Sequence, residues 1–153
     1  MNDIFGIKPA AVALIQADTK RAILDELSKL FAQGWGLDRS LVLEHLMERE
    51  NLGSTGFGRG VAIPHARFPG IKRPIVALAK LVRPVAFDAA DGMPVGLVFG
   101  LLSPDHSGVT HLHALAAISR LVRDERMHDA LSQAPDADAL YCLIAHVTER
   151  DAA

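Results

Sequence analysis

One histidine stands where an imidazole can act as a nucleophile. His65 directly follows Pro64, whose ring stiffens the approach and leaves the imidazole little freedom. An imidazole with an ordinary pKa near ~6.5 is mostly neutral at pH 7, so one of its nitrogens carries a free lone pair. Four glycines within residues 53–60 allow backbone to approach an anion closely. We predict that His65 accepts a phosphoryl group; that the glycines serve only tight turns remains the alternative.

Two other residues are suited to stabilise the charge of that group. A phosphoryl group in transfer carries negative charge on its oxygens. Arg49 lies at the end of a predicted helix, just before the glycine-rich segment. His111 lies in the first turn of a later predicted helix, where free backbone N–H groups and the helix dipole favour an anion. The prediction is that Arg49 and His111 lie beside His65.

Other chemistries fit the pattern poorly. The glycines at 56, 58 and 60 lack the Gly-x-Gly-x-x-Gly spacing of dinucleotide sites, and Arg59-Gly60 stands where a P-loop needs Lys-Ser or Lys-Thr. His111 and His113 are two residues apart on a predicted helix, so their side chains point to nearly opposite faces. The sequence therefore predicts no cofactor and no metal.

Composition limits the function classes and the cellular compartment that fit this sequence. The 16 Lys and Arg residues against 18 Asp and Glu residues leave no basic excess for nucleic-acid binding. The apolar runs at 10–15 and 95–102 are too short for a signal peptide or a membrane helix, and are predicted to be buried strands. Cys142 is the single cysteine, so no intrachain disulfide is possible; we expect it to be buried and the protein to be cytoplasmic.

Hydrophobic periodicity predicts interleaved helices and strands. The predicted strands are residues 10–15, 60–63, 75–81 and 95–102, with a short edge strand at 85–87. The predicted helices run from Asp18 or Thr19 to Phe31 with Gly34 as the stop, from Asp38 or Ser40 to Glu50, from Val109 to Val122, from Asp124 for a short fourth helix, and from Ala137 to Val147. The third helix is expected to bury Leu112, Leu115, Ile118 or Ser119, Leu121 and Val122. This order favours a single-domain α/β sandwich, a small sheet with helices on both faces.

Three segments resemble one known family. Residues 53–65, Gly-Ser-Thr-Gly-Phe-Gly-Arg-Gly-Val-Ala-Ile-Pro-His, resemble the active-site stretch of the IIA domains of the bacterial phosphotransferase system, mannitol/fructose type. Residues 84–104 are similar to that family's hairpin and central strand, and residues 110–115 to its helix opening. The resemblance covers residues 5–148 as one domain, followed by a flexible tail at 149–153, and is greatest to the nitrogen-regulatory IIA proteins.

The resemblance implies a role for each site residue. His65 would accept phosphate, through Nε2, from the phosphohistidine of an HPr-like carrier protein, with Arg49 and His111 beside the ring. The sheet would be mixed. Phosphorylation would control binding to regulatory targets such as potassium-transport components or sensor kinases. Loop and partner-contact positions would be Ser54, Thr55, Phe57, Gly58, Gly60 and Pro64, and Leu52 and Phe68 are further candidates for an apolar contact.

Two other functions stay open at this point. The chain could be a sugar-transport IIA component that passes its phosphate to a IIB domain, because both branches share most of the pattern. It could also be a non-catalytic binding module, although such a module need not keep His65, Arg49 and His111 together.

Overall fold

The structure, a computed structural model, describes residues 4–152, and the side chains of residues 4–145. In chain order the elements are β1 (Gly6–Ile15), α1 (Lys20–Trp35), α2 (Arg39–Asn51), β2 (Gly56–Gly58), β3 (Val61–Ala62), β4 (His65–Phe68), β5 (Ile75–Val85), β6 (Val95–Pro104), α3 (Gly108–Arg123), α4 (Glu125–Gln133) and α5 (Ala137–Ala152). Among the described residues, no helix is long and apolar enough to cross a membrane.

The strands form one mixed sheet in the order β1-β5-β6-β3-β2. β6 is its central strand, antiparallel to β5 on one edge and parallel to β3 and then β4 on the other. β1 is parallel to β5, and β2 pairs antiparallel with β3. The predicted α/β fold with a mixed sheet is therefore confirmed.

The sheet separates two hydrophobic cores. Successive residues of β6 point to opposite faces, so Val98 and Leu102 enter one core while Leu97, Phe99 and Leu101 enter the other. Helices α1 and α2 cover the first face, and α3, α4 and α5 cover the second. Burial on both faces explains why the sequence of β6 is apolar at nearly every position.

Helix starts agree with the sequence prediction, but the ends of α1 and α5 do not; α5 continues to Ala152 where we expected Val147. The side chains of Thr19, Asp38 and Asp124 accept backbone N–H bonds as N-caps of α1, α2 and α4. We expected α1 to stop at Gly34, yet it continues to Trp35. The left-handed residue is Gly36, at φ +68°, whose N–H bonds to the carbonyl of Ala32. Gly34 serves packing instead, because a Cβ there would lie 3.2 Å from the Cβ of Ala11.

Two strand and helix details were predicted wrongly. β5 does not end before Arg83 but continues to Val85, which pairs with Val95 after a register irregularity, so residues 85–87 are no separate edge strand. Pro84 is exposed at this irregularity, where its missing N–H breaks no regular ladder bond.

On α3 the buried residues are His111, Ala114, Ile118 and Val122. Leu112 is 61% exposed, because this helix faces the sheet with the stripe that begins one residue earlier.

Cys142, expected to be buried, is exposed on α5. Among the side chains of that helix that the structure describes, the buried ones are Leu140 and Ile144, four residues apart on another face. The assignment of residues 5–148 to one domain stays a prediction. The predicted tail at 149–153 lies outside the residues whose side chains are described.

Candidate functional site

His65 begins a strand rather than ending one. The chain leaves β3 at Ala62 and re-enters the sheet as β4, where His65 pairs with Leu101 of β6. Pro64 lies in the interruption, buried, and its carbonyl accepts the N–H of Leu101 at 2.9 Å. A proline needs no N–H partner at such a break. Backbone pairing on both sides therefore holds the His65 backbone against the central strand.

The ring of His65 has an assigned tautomer. Its Nδ1 lies 2.7 Å from the carbonyl oxygen of Ile63, and because a carbonyl can only accept, Nδ1 carries the proton. Nε2 is left with the lone pair. Burial lowers the pKa of His65, an effect that the Ile63 hydrogen bond opposes and the Arg49 charge reinforces. The ring is therefore neutral at pH 7 and nucleophilic at Nε2.

His111 lies beside this ring. The two ring centroids are 5.6 Å apart, and Nδ1 of His111 is 2.6 Å from the hydroxyl oxygen of Ser103 on β6. Burial, together with the smaller effects of the charges of Arg67 and His65, lowers the pKa of His111 to about 4. The backbone N–H of His111 bonds to the carbonyl of Ser107, so this residue offers its ring, and not a free amide, to a ligand.

Arg49 completes the predicted set. It lies in the last turn of α2, and its Nη1 donates to the carbonyl of Gly53 at 2.8 Å. All three predicted side chains line one cleft of about 340 Å³, whose lining residues are His45, Glu48, Arg49, Leu52, His65, Ala66, Arg67 and His111. The structure thus brings together Arg49 and His111, which are 62 positions apart in the sequence.

The segment 53–60 positions this cleft without lining it. Glu50, buried at the end of α2, accepts bonds from the backbone N–H and the hydroxyl of Thr55 and from Nζ of Lys20. Ser54 donates to the carbonyl of Phe87 at 2.7 Å. These bonds anchor the loop at both the helix and the β5–β6 connection.

The glycines have turn and packing roles. Gly58 and Gly60 have φ of +105° and +80° at the turn of the short β2–β3 hairpin, which the sequence analysis missed. A Cβ on Gly56 would lie 2.8 Å from the backbone of Ala89. The loop and partner positions expected from the sequence lie outside the cleft lining; they are Ser54, Thr55, Phe57, Gly58, Gly60 and Pro64.

The three candidates for an apolar partner contact differ in exposure and location. Leu52 lines the cleft and is 85% exposed, whereas Phe68 is buried and its ring packs edge-on against His45 at 5.1 Å. Phe57 is half-buried, with the Arg123 guanidinium 5.7 Å from its ring centre. Of these three, only Leu52 is available at the cleft.

Sequence reasoning missed Arg67 and Ser103. Arg67 follows His65 by two residues on β4, so both lie on one face of the strand, but no strand was predicted between Ile63 and Ile75. Ser103 is a buried polar residue within an apolar strand, and that contrast was the available signal.

Comparison with known proteins identifies the family of this chain. The profile of the family described as phosphoenolpyruvate-dependent sugar phosphotransferase system, EIIA 2, matches residues 7–147. The nitrogen regulatory protein of Bradyrhizobium diazoefficiens is 40% identical over 136 residues, 89% of each chain. That of Pseudomonas aeruginosa is 40% identical over 134 residues, 87% of each chain.

A solved structure agrees as well. The nitrogen regulatory protein IIA-Ntr of Neisseria meningitidis superposes with a TM-score of 0.82 at 33% identity, covering 90% of this chain and 94% of that one. Profile, sequence relatives and fold thus extend over nearly the same residues. This chain belongs to the EIIA type 2 family of the phosphotransferase system, whose members similar to it include nitrogen regulatory proteins.

Proposed function

We propose that this protein accepts a phosphoryl group on Nε2 of His65 from the phosphohistidine of an HPr-like carrier protein. The observation that carries the proposal is the Nδ1 hydrogen bond to Ile63, which leaves Nε2 as the nucleophilic nitrogen. In the transfer, the lone pair of Nε2 forms the new N–P bond while the N–P bond of the donor breaks. The electron pair of that broken bond returns to the donor ring. The proton on Nδ1 stays, and its bond to the Ile63 carbonyl stabilises the charge of the phosphorylated ring.

Arg49 and His111 stabilise the transferred group in this proposal. The Arg49 guanidinium supplies positive charge beside the phosphoryl oxygens. His111 is neutral at pH 7, and when Ser103 donates its hydroxyl proton to Nδ1, Nε2 of His111 carries an N–H that can donate to phosphate. The donor is already an activated phosphoramidate, so the energy of the step comes from the bond that breaks.

A signalling role follows from the charge that the product adds. A phosphoryl group brings about −1.5 to −2 charges to a cleft whose lining includes the exposed Leu52. That change alters which partner surface the cleft can contact. The similarity to nitrogen regulatory proteins favours regulatory protein targets over onward transfer to sugar.

Site-mapped mass spectrometry after incubation with a phosphorylated HPr-like carrier tests the acceptor. The wild-type protein should gain one acid-labile phosphoryl group, and His65→Ala should gain none. His113→Ala is the matched control, because His113 is exposed on α3 and lies outside the cleft lining. Labelling of His65→Ala at the wild-type level would refute the acceptor assignment.

The regulatory and transport functions are separated by a second incubation. The phosphorylated protein is mixed with isolated IIB domains of the mannitol and fructose type, and loss of its label is followed over time. A regulatory protein should lose label no faster than in buffer. Rapid transfer to a IIB domain would assign the chain to sugar transport instead.

A further inference from the structure

A second guanidinium shares the cleft with the predicted trio. Arg67 lies two residues after His65 on the same face of β4 and lines the same cleft as Arg49 and His111. Residues two apart on a strand are about 6.6–6.8 Å apart along it, which a phosphoryl group and a long arginine side chain readily bridge. The influence of Arg67 on His111 also places its charge near that ring.

The hydrogen bonds of Arg67 hold it without neutralising it. Its Nη1 donates to the hydroxyl of Ser107 at 3.1 Å, and that hydroxyl donates to the carbonyl of Pro104 at 2.6 Å. Arg49 is held in the same way, by the neutral carbonyl of Gly53. Among the side chains that the structure describes, no carboxylate forms a salt bridge with either guanidinium.

Two guanidiniums that form no salt bridge among the described side chains lie beside one nucleophile, in a cleft whose lining also includes Glu48. A guanidinium has five N–H donors, so the bond to Ser107 leaves donors of Arg67 available. A phosphoryl dianion on Nε2 of His65 carries charge opposite to that of Arg49 and Arg67 and can accept hydrogen bonds from both guanidiniums. Neutral His111 adds no charge of its own.

We propose that Arg67 is a phosphate-binding residue of this site, whose guanidinium contacts the phosphoryl group on His65 and stabilises the phosphorylated protein. The inference rests on the proposed function and extends it, because it assigns a second cationic side chain to the phosphoryl group. It also gives Ser107 a role, which is to hold the Arg67 side chain at the cleft in the unphosphorylated state.

The test measures an equilibrium rather than a rate. Phosphorylated HPr-like carrier and the full-length protein are mixed at concentrations too low for their complex to accumulate, and the two phosphorylated species are quantified once their ratio is constant. The equilibrium constant between free species does not depend on docking contacts, so it reports only how well each protein stabilises its own phosphoryl group.

Three variants complete the experiment. Arg67→Gln should shift the equilibrium about tenfold toward the donor, the size expected for one lost hydrogen bond to a charged group. Arg67→Lys keeps the charge but loses the planar fork, and should shift it about threefold. Arg39→Gln is the control, since it removes one positive charge from an exposed ion pair with Asp25 and should change nothing.

Each outcome has one meaning. If wild type is phosphorylated and Arg67→Gln, with an unchanged unfolding midpoint, keeps the wild-type equilibrium, the inference is overturned while the proposed function stands. Slower transfer at an unchanged equilibrium overturns it too, because Arg67 would then act in carrier docking or in the transition state. A wild-type protein that takes no phosphoryl group refutes the proposed function itself.

Discussion

The two neighbouring imidazoles of the cleft are both neutral at pH 7, and both are held through Nδ1. His65 uses a backbone carbonyl two residues away, and His111 uses a hydroxyl on the central strand. Two guanidiniums nearby would repel a protonated ring, so burial and charge act together to keep the rings neutral. A neutral His65 is what nucleophilic attack requires.

The low pKa of His111 makes stability depend on pH. Its folded pKa of about 4 lies below the ordinary value, so between those two pH values the unfolded chain binds the proton that the folded chain excludes. This contribution to stability is therefore fully present above about pH 6.5 and, after allowance for solvent screening of the partly exposed ring, should fall by on the order of 2 kcal/mol as the pH drops to 4. Urea unfolding at several pH values, compared between wild type and His111→Gln, measures this contribution. The variant should show the shallower slope; equal slopes would contradict the prediction.

Glu50 is the residue on which the loop before the site depends. Its two oxygens accept bonds from Thr55 and Lys20 within a buried setting. Glu50→Gln turns one acceptor into a donor that faces other donors, so it should destabilise the fold by about 2–3 kcal/mol. Glu44→Gln, an exposed change on the same helix, should stay within about 0.5 kcal/mol. Chemical denaturation measures both, and similar values for the two variants would show that the loop does not depend on this carboxylate.

At the scale of elements, the site is assembled from chain segments that meet only through the sheet. β4 supplies His65 and Arg67, the end of α2 supplies Arg49, and the start of α3 supplies His111. β4 and β6 are parallel, and α3 begins four residues after β6 ends at Pro104. Because β4 and β6 run side by side in the same direction, the chain that leaves the end of β6 begins α3 next to β4.

Close packing of α1 on β6 provides a test of this arrangement. A Cβ on Gly100 would lie 3.0 Å from Cε2 of Phe31 and 3.3 Å from the Cδ atoms of Leu27. Gly100→Ala should therefore destabilise the fold by about 1–3 kcal/mol. Gly96→Ala on the same strand meets nothing within 4 Å and should be neutral or slightly stabilising, because it lowers the entropy of the unfolded chain. Thermal or urea unfolding measures the stability of both variants. An equal loss of unfolding free energy in Gly100→Ala and Gly96→Ala would refute the packing argument.

At the scale of the whole molecule, one sheet stabilises two cores. β6 contributes side chains to both, so neither helical layer has a separate sheet of its own. We expect the two layers to unfold together in a single transition.

Truncations on opposite faces of the sheet test that expectation. Leu24 and Ile118 are fully buried, one in each core. Leu24→Ala and Ile118→Ala should each cost about 2–5 kcal/mol, and the double variant should show their sum, because the sites share no contact. Urea denaturation followed by both tryptophan fluorescence and far-UV circular dichroism measures this. Non-coincident transitions from the two probes would mean that the layers unfold separately.

Local sequence signals predicted much of the fold. Cap residues marked the starts of α1, α2 and α4, and the all-apolar run at 95–102 marked the central strand. These signals depend on neighbours within a few residues, so they can be read without the fold. The end of α1 was predicted wrongly because Gly34 and Gly36 look alike in sequence, and only packing against Ala11 distinguishes them.

The sequence by itself was enough to single out His65 as the proposed phosphoryl acceptor, since the Pro-His pair and the glycines upstream are local features, and the bond that sets the tautomer of His65 spans only two residues. Tertiary structure decided which charges surround it. Arg67 and Ser107 are 40 residues apart, and the rotation of α3 that buries His111 and exposes Leu112 depends on how that helix packs against the sheet. A helix turns by 100° per residue, so a periodic apolar pattern tolerates a shift of one position until the core selects the face that fits.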